Sequence, residues 1–338
     1  MPRLLVDTAI LAGETGSLPL HWLEGFELLP FAPRGLTGAT PGVREADALL
    51  VRTMTRVDAD LLAGMPRLRA LATLSSGTDH LDEQSLKLQN ISLHTGHGGN
   101  ARPVADWVEW ALTRLGHRLR GDRALVVGVG AVGTLVAARL QQMGLIPLLC
   151  DPPRAEQEPD FPHVDLDQAL QQNLATVTLH VPKIMEGPHR TQNLLNRQRL
   201  AQIPGLVVLN AARGGVLEEQ AVLDLHQTQA LVLALDTFVG EPHPQQNLLH
   251  IADLATPHIG GHSIEGKLRV AHLALTGLRA ALGMEPPPPL ETAIAQATNA
   301  PNLEPFAQLD RADQMLRHEP QAFESIRHMH RRQELALR

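Results

Sequence analysis

The segment ATPHIGGHSIEGK at 255–267 sets two imidazoles, His258 and His262, four residues apart among few other polar side chains. An imidazole titrates near neutral pH and can give or take a proton there. With 17 histidines in the chain, that property alone selects none of them. Three other charged groups also follow apolar runs: Arg213 in LVVLNAARGG, and Asp236 and Glu241 in ALVLALDTFVGEP. Arginine offers a planar two-pronged donor for an anion, and a carboxylate can bond an imidazole nitrogen. Singly, each also suits a surface cation, a loop carboxylate or a turn residue, because position in a fold does not make function.

A fourth motif supplies context. ALVVGVGAVG places Gly128, Gly130 and Gly133 in the G-x-G-x-x-G spacing, between a strand pattern and a helix pattern, with Ala131 and Val132 inside the loop. The first glycine permits the tight turn, and the second lets backbone approach a pyrophosphate. The third allows close helix–sheet contact, with the helix N-terminus facing the phosphates. The next run, LIPLLCD, ends in Asp151, 18 residues beyond Gly133. A carboxylate there accepts hydrogen bonds from the adenosine ribose and repels the extra phosphate of NADP, so NAD is the expected cofactor. Arg154 is the nearby cation able to tolerate that phosphate.

The elements that must hold these groups are visible as short Val/Leu runs alternating with helix-like segments: RLLVD, ADALLVR, LRALATL, ALVVGVG, LIPLLCD, ATVTLHVP, LVVLNAA, ALVLALD and DLATPH. Near-continuous apolar runs suit strands buried on both faces, which predicts an α/β chain with parallel sheets. Apolar spacing near 3.6 predicts helices over 101–117 and 131–143. In open α/β sheets ligands bind beyond the carboxyl ends of the strands, so Arg213, Glu241 and His258 can converge. From 285 the texture changes: EPPPPLE reads as a linker. Beyond it, Phe306, Leu309, Met315, Phe323, Ile326 and Met329 are available to pack.

Length and composition fit this picture. At 338 residues and 43% apolar content the chain supports two domains rather than one core. A net charge of -7 argues against general nucleic-acid or membrane-surface binding, both of which rely on basic patches. The single cysteine, Cys150, excludes an internal disulfide, and MPRLLVDTAILAG lacks the features of a signal peptide, so a cytoplasmic protein is expected. The longest uncharged segment, 124–138, is too short to span a membrane and carries three glycines.

In this order, the motifs resemble the D-2-hydroxyacid dehydrogenase superfamily over about the first 285 residues. The resemblance sharpens at ALLVRTMTRVDADLLAG, SSGTDHLD, LLCDPPRA, EGPHRTQNLL, NAARGGVLEEQAVL and TPHIGGHSIEGK. These point to the branch that oxidises 4-phospho-D-erythronate on the route to pyridoxal 5'-phosphate, CDPPRA and IEGK being the most discriminating. The resemblance implies two Rossmann-like parallel-sheet domains. A flavodoxin-like substrate-binding domain would take 1–95 and 259–287 and an NAD-binding domain 96–258. The rest, 288–338, would be a C-terminal dimerisation segment, shortened relative to the family. Asn100 falls where the family passes between domains, so a hinge is expected there.

The resemblance also implies roles. Arg213 would hold the substrate carboxylate, His258 would exchange the hydroxyl proton, and Glu241 would fix the imidazole tautomer. For NAD it implies Val181, Ala211, Ala212, Arg213, Asp236 and Gly261 besides the glycine loop and Asp151; for substrate, Thr53, Ser75 and His262; and no metal. His262 stands where the family carries Tyr, Val181 replaces a Thr, and Asp106 replaces a Glu. Glu265 and Lys267 read as groups that cap and solvate the following helix. The implied partners are a phosphorylated hydroxy acid and a second copy of the chain as a homodimer, with neither nucleic acid nor membrane. Two other readings share the motifs: a related dehydrogenase or 2-oxo acid reductase acting on glyoxylate, hydroxypyruvate or phosphoglycerate, and an NAD(H)-sensing binding protein.

Overall fold

The computed structural model describes residues 1–13, 18–32, 35–299 and 304–335. The chain forms two compact units, Met1–Asn100 with Ser263–Asn302, and Ala101–His262 with Leu303–Arg338.

In the first unit, β1 (Arg3–Asp7), β2 (Glu27–Phe31), β3 (Ala48–Val51), β4 (Ala70–Thr73) and β5 (Ser92–Thr95) pair in the order β2-β1-β3-β4-β5. All pairings are parallel. Alternate residues point to opposite faces. Leu4, Val6 and Leu50 accordingly pack with Trp22 and with Leu268 and Leu275 of the helix Ile264–Ala281, whereas Leu5, Leu49 and Val51 pack with Leu62 and Met65.

The second unit has β6 (Arg123–Val127), β7 (Ile146–Cys150), β8 (Leu174–Leu179), β9 (Val207–Asn210), β10 (Val232–Leu235) and β11 (Leu254–Ala255), in the order β11-β10-β9-β8-β6-β7, again all parallel. The direction of strand succession reverses between β6 and β8, which puts the glycine loop after β6 at the switch point where α/β sheets bind ligands.

Each apolar run read from the sequence contains a strand, and the predicted helices form as Ala101–Leu115 and Ala131–Gln142. The runs do not disclose β2 and β5, the two edges of the first sheet. ELLPF carries a proline, tolerated at an edge because it cannot donate to a ladder, and SLHT has one aliphatic residue.

Two of the three unit boundaries fall four to five residues beyond those expected from the sequence, and the third falls at 302 rather than 287. Residues 96–100 stay with the first unit: the Gly96 amide donates to the Ser75 carbonyl at 3.0 Å, and Val270 packs so closely on Gly96 and Gly99 that neither site could hold a side chain. Residues 259–262 stay with the second because the Asp236 carboxylate binds the amides of Ile259 and Gly260. The helix that follows is capped by Ser263, whose Oγ accepts from the Gly266 amide at 2.8 Å; this corrects the expectation that Glu265 or Lys267 caps it.

The segment 288–338 is divided. The helix Leu290–Ala297 buries Ala293 in the first unit, whereas Pro305–His318 and Phe323–Met329 bury Leu309, Leu316, Phe323 and Ile326 in the core of the second. Met329 remains 60% exposed. No described helix is long and apolar enough to cross a membrane.

Candidate active site

The candidate groups of the second unit stand at or just beyond the carboxyl ends of its strands: the glycine loop after β6, Asp151 after β7, Val181 after β8, Ala211 to Arg213 after β9, Asp236 and Glu241 after β10, and His258 and Gly261 after β11.

Asp236 organises the loop that carries His258. Its Oδ1 accepts from the Thr256 hydroxyl at 2.6 Å and the Ile259 amide at 2.8 Å, and its Oδ2 accepts from the Gly260 amide at 2.8 Å. The Trp107 indole donates to the same Thr256 oxygen at 2.8 Å. Burial pushes the Asp236 carboxyl up, against the lowering by His258 and by these hydrogen bonds. Within this frame the His258 amide donates to the Asp236 and Thr256 carbonyls, and His258 takes a left-handed φ of 54°. A non-glycine residue holds that conformation only where its surroundings fix it.

His258 Nδ1 lies 2.7 Å from Glu241 Oε2. The Glu241 carboxyl would be pushed up by burial. The hydrogen bond and charge of His258, the Phe238 amide and the charge of Arg327 outweigh that and hold it below the usual range. An ionised carboxylate only accepts, so Nδ1 carries the proton and Nε2 is the nitrogen left for proton exchange. The loop leading to Glu241 is held twice over: the Phe238 amide donates to Glu241 Oε1 at 2.8 Å and the Val239 amide to Glu219 Oε1 at 2.6 Å. Burial drives the Glu219 carboxyl up to about 7; the Val239 amide and Lys183 oppose that, and the charge of Glu241 adds to it.

The Arg213 turn is built by Asn210, a buried residue at the end of β9. Its Nδ2 donates to the Arg213 carbonyl at 3.1 Å and its Oδ1 accepts from the Ala212 amide at 3.1 Å. Gly214 rests against the Phe238 carbonyl so tightly that a Cβ would collide with it, which sets this turn beside the loop leading to Glu241. Arg213 Nη1 donates to the Ala212 carbonyl at 2.8 Å.

The glycine loop fits a dinucleotide. Gly128 has a φ of 87°, and a Cβ on Gly133 would collide with the Gly128 carbonyl, so helix and turn approach as closely as backbone permits. A Cβ on Gly130 would meet no protein atom, and no side chain caps the helix that starts there, so its first amides suit an anion. Asp151 caps the next helix through Arg154 N at 3.1 Å and accepts from the Val129 amide at 2.7 Å, tying itself to the loop. Arg154 folds over the same loop: it pairs with Glu158 at 3.0 Å, donates to the Val129 carbonyl at 2.8 Å and stacks on Phe161.

The other substrate candidates lie in the first unit. Thr53 is exposed after β3. Ser75, after β4, donates to the Gly77 carbonyl at 2.7 Å and lies 2.8 Å from the Thr73 hydroxyl. Beside Thr53, Arg52 pairs at 2.7 Å with Asp7, whose side chain is fully buried. His262, at the end of the second unit, is half-buried, with its amide on the Ile259 carbonyl at 2.8 Å. Sequence reasoning missed Asn210, Glu219, Thr256 and Trp107. Asn210 and Thr256 at strand ends were open to notice, whereas Glu219 reads as an ordinary first-turn carboxylate.

A family profile described as the D-isomer specific 2-hydroxyacid dehydrogenase NAD-binding domain matches residues 97–260. The erythronate-4-phosphate dehydrogenase of Chromohalobacter salexigens is 40% identical over 299 residues, 84% of this chain and 78% of that protein. The chain belongs to the D-isomer specific 2-hydroxyacid dehydrogenase family. This dehydrogenase is also 41% identical to the erythronate-4-phosphate dehydrogenase of Aeromonas hydrophila over 252 residues, 72% of this chain and 66% of that one. A solved structure from Thermus thermophilus superposes with a TM-score of 0.67 at 25% identity, covering 84% of this chain and 98% of that one. The D-lactate dehydrogenase of Aquifex aeolicus, complexed with NAD and lactic acid, shares the fold with a TM-score of 0.62 at 19% identity, over 83% and 95% of the two chains. The dehydrogenase is an NAD-dependent oxidoreductase of 2-hydroxy acids.

Proposed function

We propose that this dehydrogenase oxidises 4-phospho-D-erythronate to (R)-3-hydroxy-2-oxo-4-phosphooxybutanoate, a step toward pyridoxal 5'-phosphate. The substrate rests on the names of the relatives. The observation that carries the chemistry is the 2.7 Å contact between His258 Nδ1 and Glu241.

NAD, when bound, would supply the acceptor for the hydride that leaves C2 of the hydroxy acid. Arg213 binds the substrate carboxylate and the developing carbonyl oxygen through its two-pronged guanidinium. His258 Nε2 removes the hydroxyl proton as C2 is oxidised, and the ring becomes imidazolium. Glu241, ionised and bonded to Nδ1, stabilises that cation and holds the ring in one tautomer. Thr53, Ser75 and His262 bind the remainder of the substrate. For the cofactor, the amides at Gly130, Ala131, Val132 and Gly133 would hold the pyrophosphate and Asp151 the ribose, Val181, Ala211, Ala212, Arg213 and Gly261 would line the rest of the NAD site, and Asp236 would serve its nicotinamide side.

Replacing His258 by Asn should lower kcat by about 10² to 10⁴-fold, the range for a positioned acid/base; unchanged turnover would remove the assignment. A panel of 4-phospho-D-erythronate, phosphoglycerate and glyoxylate, read as NADH formed or consumed, tests the substrate. A preference for either of the last two would overturn it. A cytoplasmic homodimer belongs to the same reading, and light scattering on the purified protein reports the oligomeric state.

A further inference from the structure

We propose that the C-terminal segment 304–335 is part of the active-site scaffold of its own chain, with Arg332 the residue that positions the His258 loop. The inference rests on the reading of His258 and Glu241 as the proton-exchanging pair and goes beyond it to what holds them.

Four contacts carry it. Arg332 is fully buried, and its Nη2 donates to the Pro103 carbonyl at 2.8 Å and to the Gly260 carbonyl at 2.6 Å. Gly260 is therefore gripped on both sides, by Asp236 at its N–H and by Arg332 at its C=O. Asp313, on the helix Pro305–His318, accepts from the Ala255 amide at 2.7 Å, three residues before His258. Phe323 packs edge-on against Phe238 with ring centroids 6.3 Å apart, at the start of the loop that leads to Glu241. Arg327, one helical turn further on, adds positive charge that helps keep Glu241 ionised.

These contacts fall on both loops of the pair and come from separate parts of the segment, so they are not one incidental contact. A buried guanidinium is costly unless matched. Arg332 also lies 3.9 Å from Asp106, which is buried and paired with Arg139 at 3.1 Å and accepts from the Leu335 amide at 3.0 Å. The cation is thus held beside the helix Ala101–Leu115, and its Nη2 donates both to the catalytic loop and to that helix's first turn. The left-handed φ of His258 is a conformation that needs such bracing. Arg332 touches none of the reacting atoms and acts through Gly260, so it is a positioning residue.

The test compares full-length variants with 4-phospho-D-erythronate and NAD. Arg332→Met should lower kcat by up to about 100-fold, as a displacement near one ångström can. The KM for NAD should rise by far less than kcat falls, because the loop from Gly128 to Gly133 keeps its own supports while Asp236 and Gly261 stand next to the loosened Gly260. Arg332→Lys, which retains a donor, should recover part of the loss. Asp310→Asn serves as control: it weakens the same segment where it meets Trp110 and Arg114, away from the His258 loop. A folded Arg332→Met enzyme with wild-type kcat, or an equal fall in Asp310→Asn, overturns the proposal. If Arg332→Met fails to fold, Asp313→Ala decides in the same way: a fall in kcat larger than any rise in the KM for NAD supports the proposal, and wild-type kcat overturns it. His258→Asn run alongside separates the two readings. If it is inactive while Arg332→Met is normal, the positioning role alone fails; if it is active, the acid/base assignment fails.

Discussion

The chemistry of His258 depends on which of its nitrogens is engaged. Glu241 holds Nδ1 at 2.7 Å and can only accept, whereas glutamine there could offer an N–H and select the other tautomer. Glu241→Gln should therefore lower kcat by about 10² to 10⁴-fold with little change in NAD affinity, read by steady-state kinetics and NADH titration. Glu219 gives a second prediction at this scale. Its pKa is raised from 4.5 to about 7 by burial, so the folded state holds a proton that the unfolded state has released over that window. Stability from this group is full below about pH 4.5 and falls as pH rises toward 7, by about 3 kcal/mol. Glu219→Gln should flatten that part of the stability curve in urea unfolding, and an unchanged slope would refute the assignment. None of this environment is legible in VLEEQAV, because neighbouring glutamates in a first helical turn differ only in what packs over them.

At the scale of elements, the sequence shows the second sheet well and the first incompletely. Strands buried on both faces must be continuously apolar, so β6, β8, β9 and β10 announce themselves as apolar runs. Edge strands carry no such requirement, and β2 and β5 are hidden for that reason. The glycine loop is legible down to single residues because backbone approach leaves no room for a Cβ at Gly128 and Gly133, while Gly130 keeps the loop's outer face open. Gly133→Ala should push the helix Ala131–Gln142 away from the Gly128 carbonyl, costing about 1–3 kcal/mol and raising the KM for NAD by about ten-fold or more. Thermal melts and NAD titrations check both effects.

For the whole molecule, two units with separate apolar cores carry different candidate groups: Thr53 and Ser75 in one, and the glycine loop, Arg213, Glu241 and His258 in the other. NAD at about a hundred times its Kd should add about 2.7 kcal/mol to the stability of whatever it binds. Hydrogen exchange should slow first at 128–133 and around 211–213 in the second unit. Protection confined to the first unit would contradict the proposed cofactor site. The segment after 304 is part of the second unit. Read along the chain it is an appendage behind a proline linker, yet Leu309, Phe323 and Ile326 complete the second unit's core.

Local chemistry and periodicity along the chain encode parallel sheets as apolar runs, a dinucleotide loop as glycine spacing with an acidic strand end, and the residue types able to bind a carboxylate and move a proton. Which groups share an environment follows from the packed fold alone. It joined His258 to Glu241 across 17 residues, put Glu219 under the same loop, and brought Arg332 onto Gly260 across 72 residues. Hydrogen bonding and burial depend on distances in space, and residues far apart in the chain acquire those only once the strands have paired and the helices have packed over them.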